Sequence, residues 1–283
     1  MNARPVWVTG AGGLIGNYIV QTAPALARQW QVRPLTRANL DLEDFAAMRD
    51  LFRKEKPSML IHCAALANTP ACENNPVMAR KLNVEVTSVL AELAADIPFI
   101  FFSTDLVFDG RGGNYDESAK VNPLSAYAKT KLAAERIVLA NPRHTVVRTS
   151  LNFGQSLTGD RAFNEQMRSA VERGETLKLF VDEFRCPIPA EVTARAVWEL
   201  AAQDGPGLFH LAGSERLSRW EIGQLLAERW APLELKRQRE SIQDFQGLPR
   251  SPDTSLDCGK IQKLLSFPLP KFSEWIRTSK GIS

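Results

Sequence analysis

Tyr127 and Lys131 stand four residues apart in Tyr127-Ala128-Lys129-Thr130-Lys131, a spacing that puts both on one face of a helix. A phenol titrates near ~10 and is a poor acid–base catalyst unless that value is lowered. An ammonium one turn away favours phenolate, so the pair is a candidate proton donor, and the same lysine can hydrogen-bond a ribose. The spacing alone recurs by chance; its placement gives it meaning. The helix follows the apolar run Phe99-Ile100-Phe101-Phe102, which ends in Ser103-Thr104. A hydroxyl at the C-terminal end of a parallel strand lies at the mouth of the sheet, where ligands bind, so Thr104 could hydrogen-bond a substrate carbonyl beside Tyr127.

A second set of residues could hold phosphate. Thr9-Gly10-Ala11-Gly12-Gly13-Leu14-Ile15-Gly16 follows a strand-like run and opens a helix, with glycines at 10, 13 and 16. Gly10 would permit a tight turn. Gly13 would let the backbone approach a pyrophosphate at the helix N-terminus, and Gly16 would let the helix pack close. In this context the pattern predicts a dinucleotide site formed by Gly10, Gly12, Gly13, Leu14, Ile15 and Gly16. The second strand runs into Thr36-Arg37, where an acidic residue would bind the ribose diol of NAD. Arg37 instead offers a cation to a 2′-phosphate, which favours NADP(H), with NAD(H) as the alternative. Asp41 and Leu42 follow closely; Asp41 could serve the adenine or merely cap the next helix.

These residues need a scaffold of buried strands and covering helices. Val6-Trp7-Val8, Gln31–Leu35, Met59–Cys63, Phe99–Ser103 and His144–Arg148 read as strands, and Pro34 places the second at an edge or a bend. Helical periodicity covers Asp44–Lys56, Val77–Ala95 and Tyr127–Leu139. Later helices are expected at 162–173, 192–203 and 220–230, a strand at Gly207–Leu211, and a polar loop over Gln238–Asp257. Trp220 and Trp230 read as part of a core stripe rather than a stacking platform. Apolar strands alternating with helices predict an α/β fold, a Rossmann-type doubly wound parallel sheet with a smaller C-terminal substrate-binding lobe. Residues 1–150 are expected to form the dinucleotide-binding domain and residues 151–283 mainly the lobe, with segments returning to the first domain.

Composition excludes several classes. Of 283 residues, 44% are hydrophobic and 24% charged, ordinary globular usage. A net charge of +3 gives no nucleic-acid footprint. The four cysteines, Cys63, Cys72, Cys186 and Cys258, are scattered, form no disulfide framework and show no metal-ligand spacing, so no metal site is expected. His62 and His210 read as satisfied core residues, and His144 as a strand start at the surface. Met1-Asn2-Ala3-Arg4 passes into a strand without a charged leader, and apolar runs such as Ile97–Phe102 fall far short of the ~20 residues of a membrane span. The expectation is a cytoplasmic protein without membrane or nucleic-acid partners.

Taken together, the glycine loop, the strand-end Ser/Thr and the YxxxK helix resemble an extended short-chain dehydrogenase/reductase, and within it the dTDP-4-dehydrorhamnose reductase family of sugar-nucleotide reductases. The resemblance is carried by Phe102-Ser103-Thr104-Asp105-Leu106-Val107-Phe108-Asp109-Gly110, Tyr115-Asp116-Glu117, Asn122-Pro123-Leu124-Ser125-Ala126-Tyr127 and Lys131-Leu132-Ala133-Ala134-Glu135. His62-Cys63-Ala64-Ala65, Leu82-Asn83-Val84, Val147-Arg148-Thr149-Ser150, Val181-Asp182-Glu183 and Ser255-Leu256-Asp257 support it, so it spans nearly the whole chain. It implies that Tyr127 protonates a 4-keto sugar as hydride arrives from NADPH, that Lys131 holds the ribose, and that Thr104 orients the carbonyl. It further implies that Asn83 organises the proton path, that Ala64 and Ala65 leave room for the cofactor, and that Arg250 approaches a nucleotide diphosphate. Asp105 and Asn152 join Thr104 and Arg250 as expected contacts of a nucleotide-sugar substrate, and a homodimer is possible.

The chain departs from that family near the sugar. Leu106 replaces a usual Tyr, Leu151-Asn152-Phe153 stands where an aromatic, commonly Trp, follows the strand, Arg185-Cys186 replaces a small Gly-Ser pair, and Ser251 replaces a proline after Arg250. Two alternatives share the fold: a non-catalytic regulatory subunit like the β subunit of methionine adenosyltransferase, and a sugar-nucleotide epimerase or dehydratase. The dehydratase lacks support because Leu106 follows Asp105 where a second carboxylate would be needed.

Overall fold

The apolar runs assemble into one parallel sheet. In the computed structural model, which describes residues 4–203, 205–230 and 236–278, β1 (Pro5–Thr9), β2 (Gln31–Leu35), β3 (Met59–His62), β4 (Phe99–Thr104), β5 (His144–Thr149) and β6 (Gly207–Leu211) lie in the order β6-β5-β4-β3-β1-β2. Every neighbouring pair is parallel. Residues Met1–Ala3, on which part of the N-terminal reading rests, are outside the described set. The runs are continuous rather than alternating because both faces are covered. Val6, Val8, Ile61, Ile100 and Phe102 meet Ile19 and Ala23 of α1 (Leu14–Leu26) and Val197 and Trp198 of α6 (Ala190–Ala202) on one face. On the other, Trp7, Leu60, Phe99 and Phe101 meet Met48 of α2 (Phe45–Glu55), Leu90 of α3 (Val86–Leu93), and Ala134 and Val138 of α4 (Ala126–Leu139). Pro34 pairs with Val8, and β2 is the edge strand, where a missing N–H is tolerated.

Three expectations need correction. The helix expected over Val77–Ala95 is interrupted: Pro76–Arg80 leads into a π-helical turn, Lys81–Glu85, before α3 begins. The Thr87 hydroxyl takes up the Asn83 carbonyl at 2.8 Å, and the Asn83 side chain is held by partners outside the helix, so the ladder admits an extra residue there. His144 is buried, not superficial, with its Nε2 3.1 Å from the Ala94 carbonyl oxygen and its ring edge-on to Phe99. The stretch Gln238–Asp257 is not all loop, since Arg237–Glu240 forms a strand parallel to Leu177–Phe180.

The second half adds α5 (Phe163–Glu172), α7 (Arg219–Arg229) and α8 (Phe272–Thr278) around Phe153, Leu226, Trp230 and Phe272. Trp220 packs against this cluster, so its helix carries a core stripe. The chain crosses back as well as outward: α6 lies on α1, with Trp198 Nε1 donating to the Ile19 carbonyl at 3.1 Å, and β6 pairs with β5. Among the described residues no helix is long and apolar enough to cross a membrane, and no group of three or more His, Cys, Asp and Glu side chains could hold a metal ion. All four cysteines are free thiols.

Candidate active site

The glycine loop takes its shape from contacts that exclude side chains. Gly10 has φ +66°, and a Cβ there would lie 2.6 Å from the Ala64 amide nitrogen. A Cβ on Gly16 would stand 2.3 Å from the Gly10 carbonyl oxygen, so the first turn of α1 is pressed onto the loop itself. Gly13 is the N-cap of α1; it brings no side-chain cap, and no acidic residue sits in the first turn. The positive end of the helix and its free N–H groups therefore remain available to an anion. Gly10, Gly12 and Gly13 line a cleft of about 550 Å³ together with Ala64 and Ala65. Arg37, Asp41 and Leu42 line it too, while Leu14, Ile15 and Gly16 are not part of its lining. Arg37 is well exposed and lies 3.4 Å from Glu43, and Asp41 accepts the Glu43 amide N–H, leaving the cap of α2 to Asp44. Arg161, from the loop before α5, also lines the cleft. A single arginine in a polar loop carries no sequence signal, and sequence reasoning missed it.

At the C-terminal end of β4, α4 begins where the Ser125 hydroxyl accepts the Ala128 N–H and the Glu73 carboxylate accepts the Ala126 N–H. This fixes Tyr127 and Lys131 in the first two turns. Lys131 is buried with its ammonium 3.9 Å from the centre of the Phe101 ring. Burial pushes its amine down to about 7, against the opposing pull of Glu135 and the neighbouring Cys63, which lines the glycine cleft. Tyr127 is half-buried. Burial first, and then the Asp105 carboxylate, hold its phenol above the ordinary value, while a hydrogen bond with Thr104 acts the other way. The expectation that Lys131 acidifies Tyr127 is thus corrected: desolvation and Asp105 prevail, and Lys131 is itself drawn toward neutrality. The phenol stays protonated at neutral pH, the state a proton donor requires.

The neighbouring polar groups are fixed by the scaffold. The Thr104 hydroxyl donates to Asp105 Oδ1 at 3.2 Å and accepts from the Leu106 N–H at 3.2 Å. Asn83, fully buried, accepts the Leu66 N–H at 2.8 Å and donates to the Leu66 carbonyl and to the Thr130 hydroxyl at 3.1 and 3.0 Å. It therefore joins the segment after Ala64-Ala65 to the helix of Tyr127 and Lys131. Asp105 and Asn152 stand differently from their expected role. Asp105 is buried and also accepts from Ser150 and Thr254 at 2.9 and 2.8 Å, and Asn152 is engaged by Thr149, Ser150 and Thr193. Neither is among the lining residues of the glycine cleft or of the pocket described next.

A second pocket, about 270 Å³, opens beside Leu106 and Ser125, the near neighbours of Thr104 and Tyr127 in sequence. Arg250 lines it together with Glu183, Arg185 and Arg219. Glu183 is fully buried, 3.0 Å from Arg185, 2.9 Å from Arg219 and in contact with Arg250. Burial alone would push the Glu183 carboxyl up; Arg219, Arg185 and Arg250 together hold it down at about 2. Arg250 also lies over Phe180 and Phe245, at 4.7 and 5.5 Å from the ring centres. One guanidinium nitrogen of Arg219, Nη1, is buried without a partner among the described residues. Two carboxylates, Asp105 and Glu183, face three guanidinium groups, so the pocket has an excess of positive charge suited to an anion. Of Glu183, Arg185, Arg219 and Arg250, sequence reasoning singled out Arg250 alone as a binding residue, beside Asp105.

Comparisons with known proteins agree with this architecture. The chain is 30% identical over 236 residues, 78% of its length and 79% of the relative's, to the probable low-salt glycan biosynthesis reductase Agl14 of Haloferax volcanii. It is also 30% identical over 292 aligned positions, covering 98% of this chain and 90% of the other, to methionine adenosyltransferase 2 subunit beta of Danio rerio. The crystal structure of a dTDP-4-dehydrorhamnose reductase from Clostridium acetobutylicum superposes with a TM-score of 0.86 at 26% identity, covering 95% of this chain and 96% of that one. Residues 4–279 match the family model described as the RmlD substrate binding domain, and the chain belongs to that family.

Proposed function

We propose that this protein is an NADPH-dependent reductase that converts the 4-keto group of a nucleotide-linked deoxy sugar to an alcohol, with Tyr127 as the proton donor. The observation that carries the reading is that the helix of Tyr127 and Lys131 has neighbours in two cavities of different chemistry. Cys63, beside Lys131, lines the glycine cleft, and Ser125, at the start of the Tyr127 helix, lines the arginine pocket. The uncapped N-terminus of α1 and the side-chain-free Gly10 turn suit a dinucleotide diphosphate, and Arg37 at the end of β2 suits a 2′-phosphate. Arg219 and Arg250 suit the diphosphate of a nucleotide sugar. Residues 1–150 would then serve mainly the cofactor and residues 151–283 mainly the substrate.

When bound, a reduced nicotinamide supplies the hydride. The chain's own residues do the rest. As the carbonyl carbon gains that hydride, the Tyr127 O–H bond breaks and its proton passes to the carbonyl oxygen, giving a hydroxyl. The raised pKa of the phenol keeps that proton in place until the oxygen becomes basic. Thr104 orients the carbonyl, and Lys131 offers its amine to the ribose. Asn83 keeps α4 in register with the cleft wall at Leu66.

The test is absorbance loss by NADPH in the presence of a dTDP-linked 4-keto-6-deoxyhexose, abolished in Tyr127→Phe. A second reading, an NADP-binding regulatory subunit without turnover, is supported by the near full-length similarity to methionine adenosyltransferase subunit beta. It predicts tight NADPH binding with no consumption across a panel of keto sugars.

A further inference from the structure

We propose that Arg185 is a positioning residue, which ties the arginine pocket to the Thr104–Asp105 pair and thereby fixes the environment of the Tyr127 phenol. The inference rests on the reductase reading above and deepens it. Arg185 is 3% exposed, and its guanidinium lies between two carboxylates: Nη2 is 3.0 Å from Glu183 and Nε is 3.8 Å from Asp105. Its Nη1 donates to the Phe184 and Ser251 carbonyls at 2.6 and 3.1 Å. Every nitrogen of the group thus faces a protein acceptor, so Arg185 shapes the pocket rather than grasping a ligand.

Asp105 lies at the other end of this link. Its oxygens gather the hydroxyl protons of Thr104, Ser150 and Thr254, and Arg185 is the cation beside it. Thr104 also makes a hydrogen bond with the Tyr127 phenol, which lowers the phenol's pKa against the pull of Asp105. The groups acting on that phenol are Asp105, Thr104 and Cys72, with Lys131 one turn further along α4. Removing Arg185 leaves Asp105 as an uncompensated buried charge facing the phenol and loosens the loop of Ser251 and Thr254 that holds Asp105 in place. The same arginine shares Glu183 with Arg219 and Arg250, so the pocket that receives an anion and the hydroxyl that meets the carbonyl are parts of one ionic chain.

The experiment compares wild type with Arg185→Met, Arg185→Lys, Asp105→Asn and the Arg185→Met/Asp105→Asn double variant. Turnover is measured with NADPH and a dTDP-linked 4-keto-6-deoxyhexose across pH, NADPH affinity by fluorescence titration, and stability by thermal unfolding. Arg185→Met is expected to lower kcat about tenfold, the equivalent of one unit in the donor's acidity, with NADPH affinity unchanged. The donor must be protonated, so activity fades as pH rises through its pKa; a weaker acid moves that limb to higher pH. Arg185→Lys recovers most of kcat, and the double variant exceeds the single Arg185→Met because the uncompensated charge is gone. The losses in melting temperature are less than additive in the double variant. Unchanged kcat and pH profile in Arg185→Met, or additive stability losses, would overturn the proposal. Wild type that binds NADPH but consumes none overturns the reductase reading instead, and the stability cycle then decides the Arg185–Asp105 link by itself.

Discussion

The glycine cleft and the arginine pocket are built by opposite means. The glycine cleft is made by leaving side chains out: Gly10, Gly12 and Gly13, Ala64 and Ala65, and an uncapped helix end. Its chemistry resides in backbone N–H groups. The arginine pocket is made by packing long charged side chains around a buried carboxylate, with phenyl rings against them. Backbone geometry can be set by three residues in a row, whereas a charge cluster needs partners from distant segments. The first mode suits an invariant diphosphate, and the second leaves room for specificity.

The largest expected effect falls on Tyr127. Tyr127→Phe should cut kcat by about 10²–10⁴-fold, the usual contribution of a positioned acid, with NADPH affinity intact; equal loss of binding would move Tyr127 from chemistry to the cleft wall. Next comes the pocket's centre. Glu183→Gln removes the counter-charge of three guanidinium groups and should cost about 3–5 kcal/mol, read as a lower urea midpoint. Because the native Glu183 carboxyl is held at about 2 against an ordinary 4.5, its stabilisation is complete above pH 4.5 and is lost as pH falls toward 2. Melting curves should therefore show an acid loss in wild type that is smaller in Glu183→Gln.

Within the cleft, Gly16→Ala forces a Cβ to 2.3 Å from a backbone oxygen and should cost about 1–3 kcal/mol with weaker NADPH binding. Gly12→Ala, whose Cβ would meet nothing closer than 3.9 Å, should leave stability unchanged. Equal effects would refute the idea that close packing, rather than ligand contact, demands the third glycine. The smallest change belongs to Arg37→Ala. An exposed ion pair is worth roughly 1 kcal/mol, so the NADPH-over-NADH preference should fall about fivefold, measured by paired titrations.

The cleft was more legible in the sequence than the pocket, for a physical reason. Glycines at 10, 13 and 16 and the Tyr127–Lys131 spacing are short-range periodicities, and apolar runs announce a sheet covered on both faces. Glu183, Arg185, Arg219 and Arg250 come from three separate segments, and nothing local says which arginine finds which carboxylate. Val181-Asp182-Glu183 was visible as a family stretch and Arg185 as a departure from it, but their union was not. His144 begins a strand, which suggests a surface; β5 lies inside the sheet, so its first residue packs against Phe99 instead. Polar Arg237–Glu240 concealed a strand because it pairs at the periphery with Leu177–Phe180, where burial demands little of its side chains.

The π-helical turn at Lys81–Glu85 acts as a one-residue wedge in the middle of a long rod. Each residue of a regular helix advances the chain by about 100°, so deleting one residue here would let the rod run straight while swinging everything upstream by more than a quarter-turn. The Asn75-capped segment would then present another face to the body of the protein. The amide of Asn83 would leave Leu66 behind. Chain length, and not only residue identity, thus keeps the wall of the cleft aligned with the helix of Tyr127.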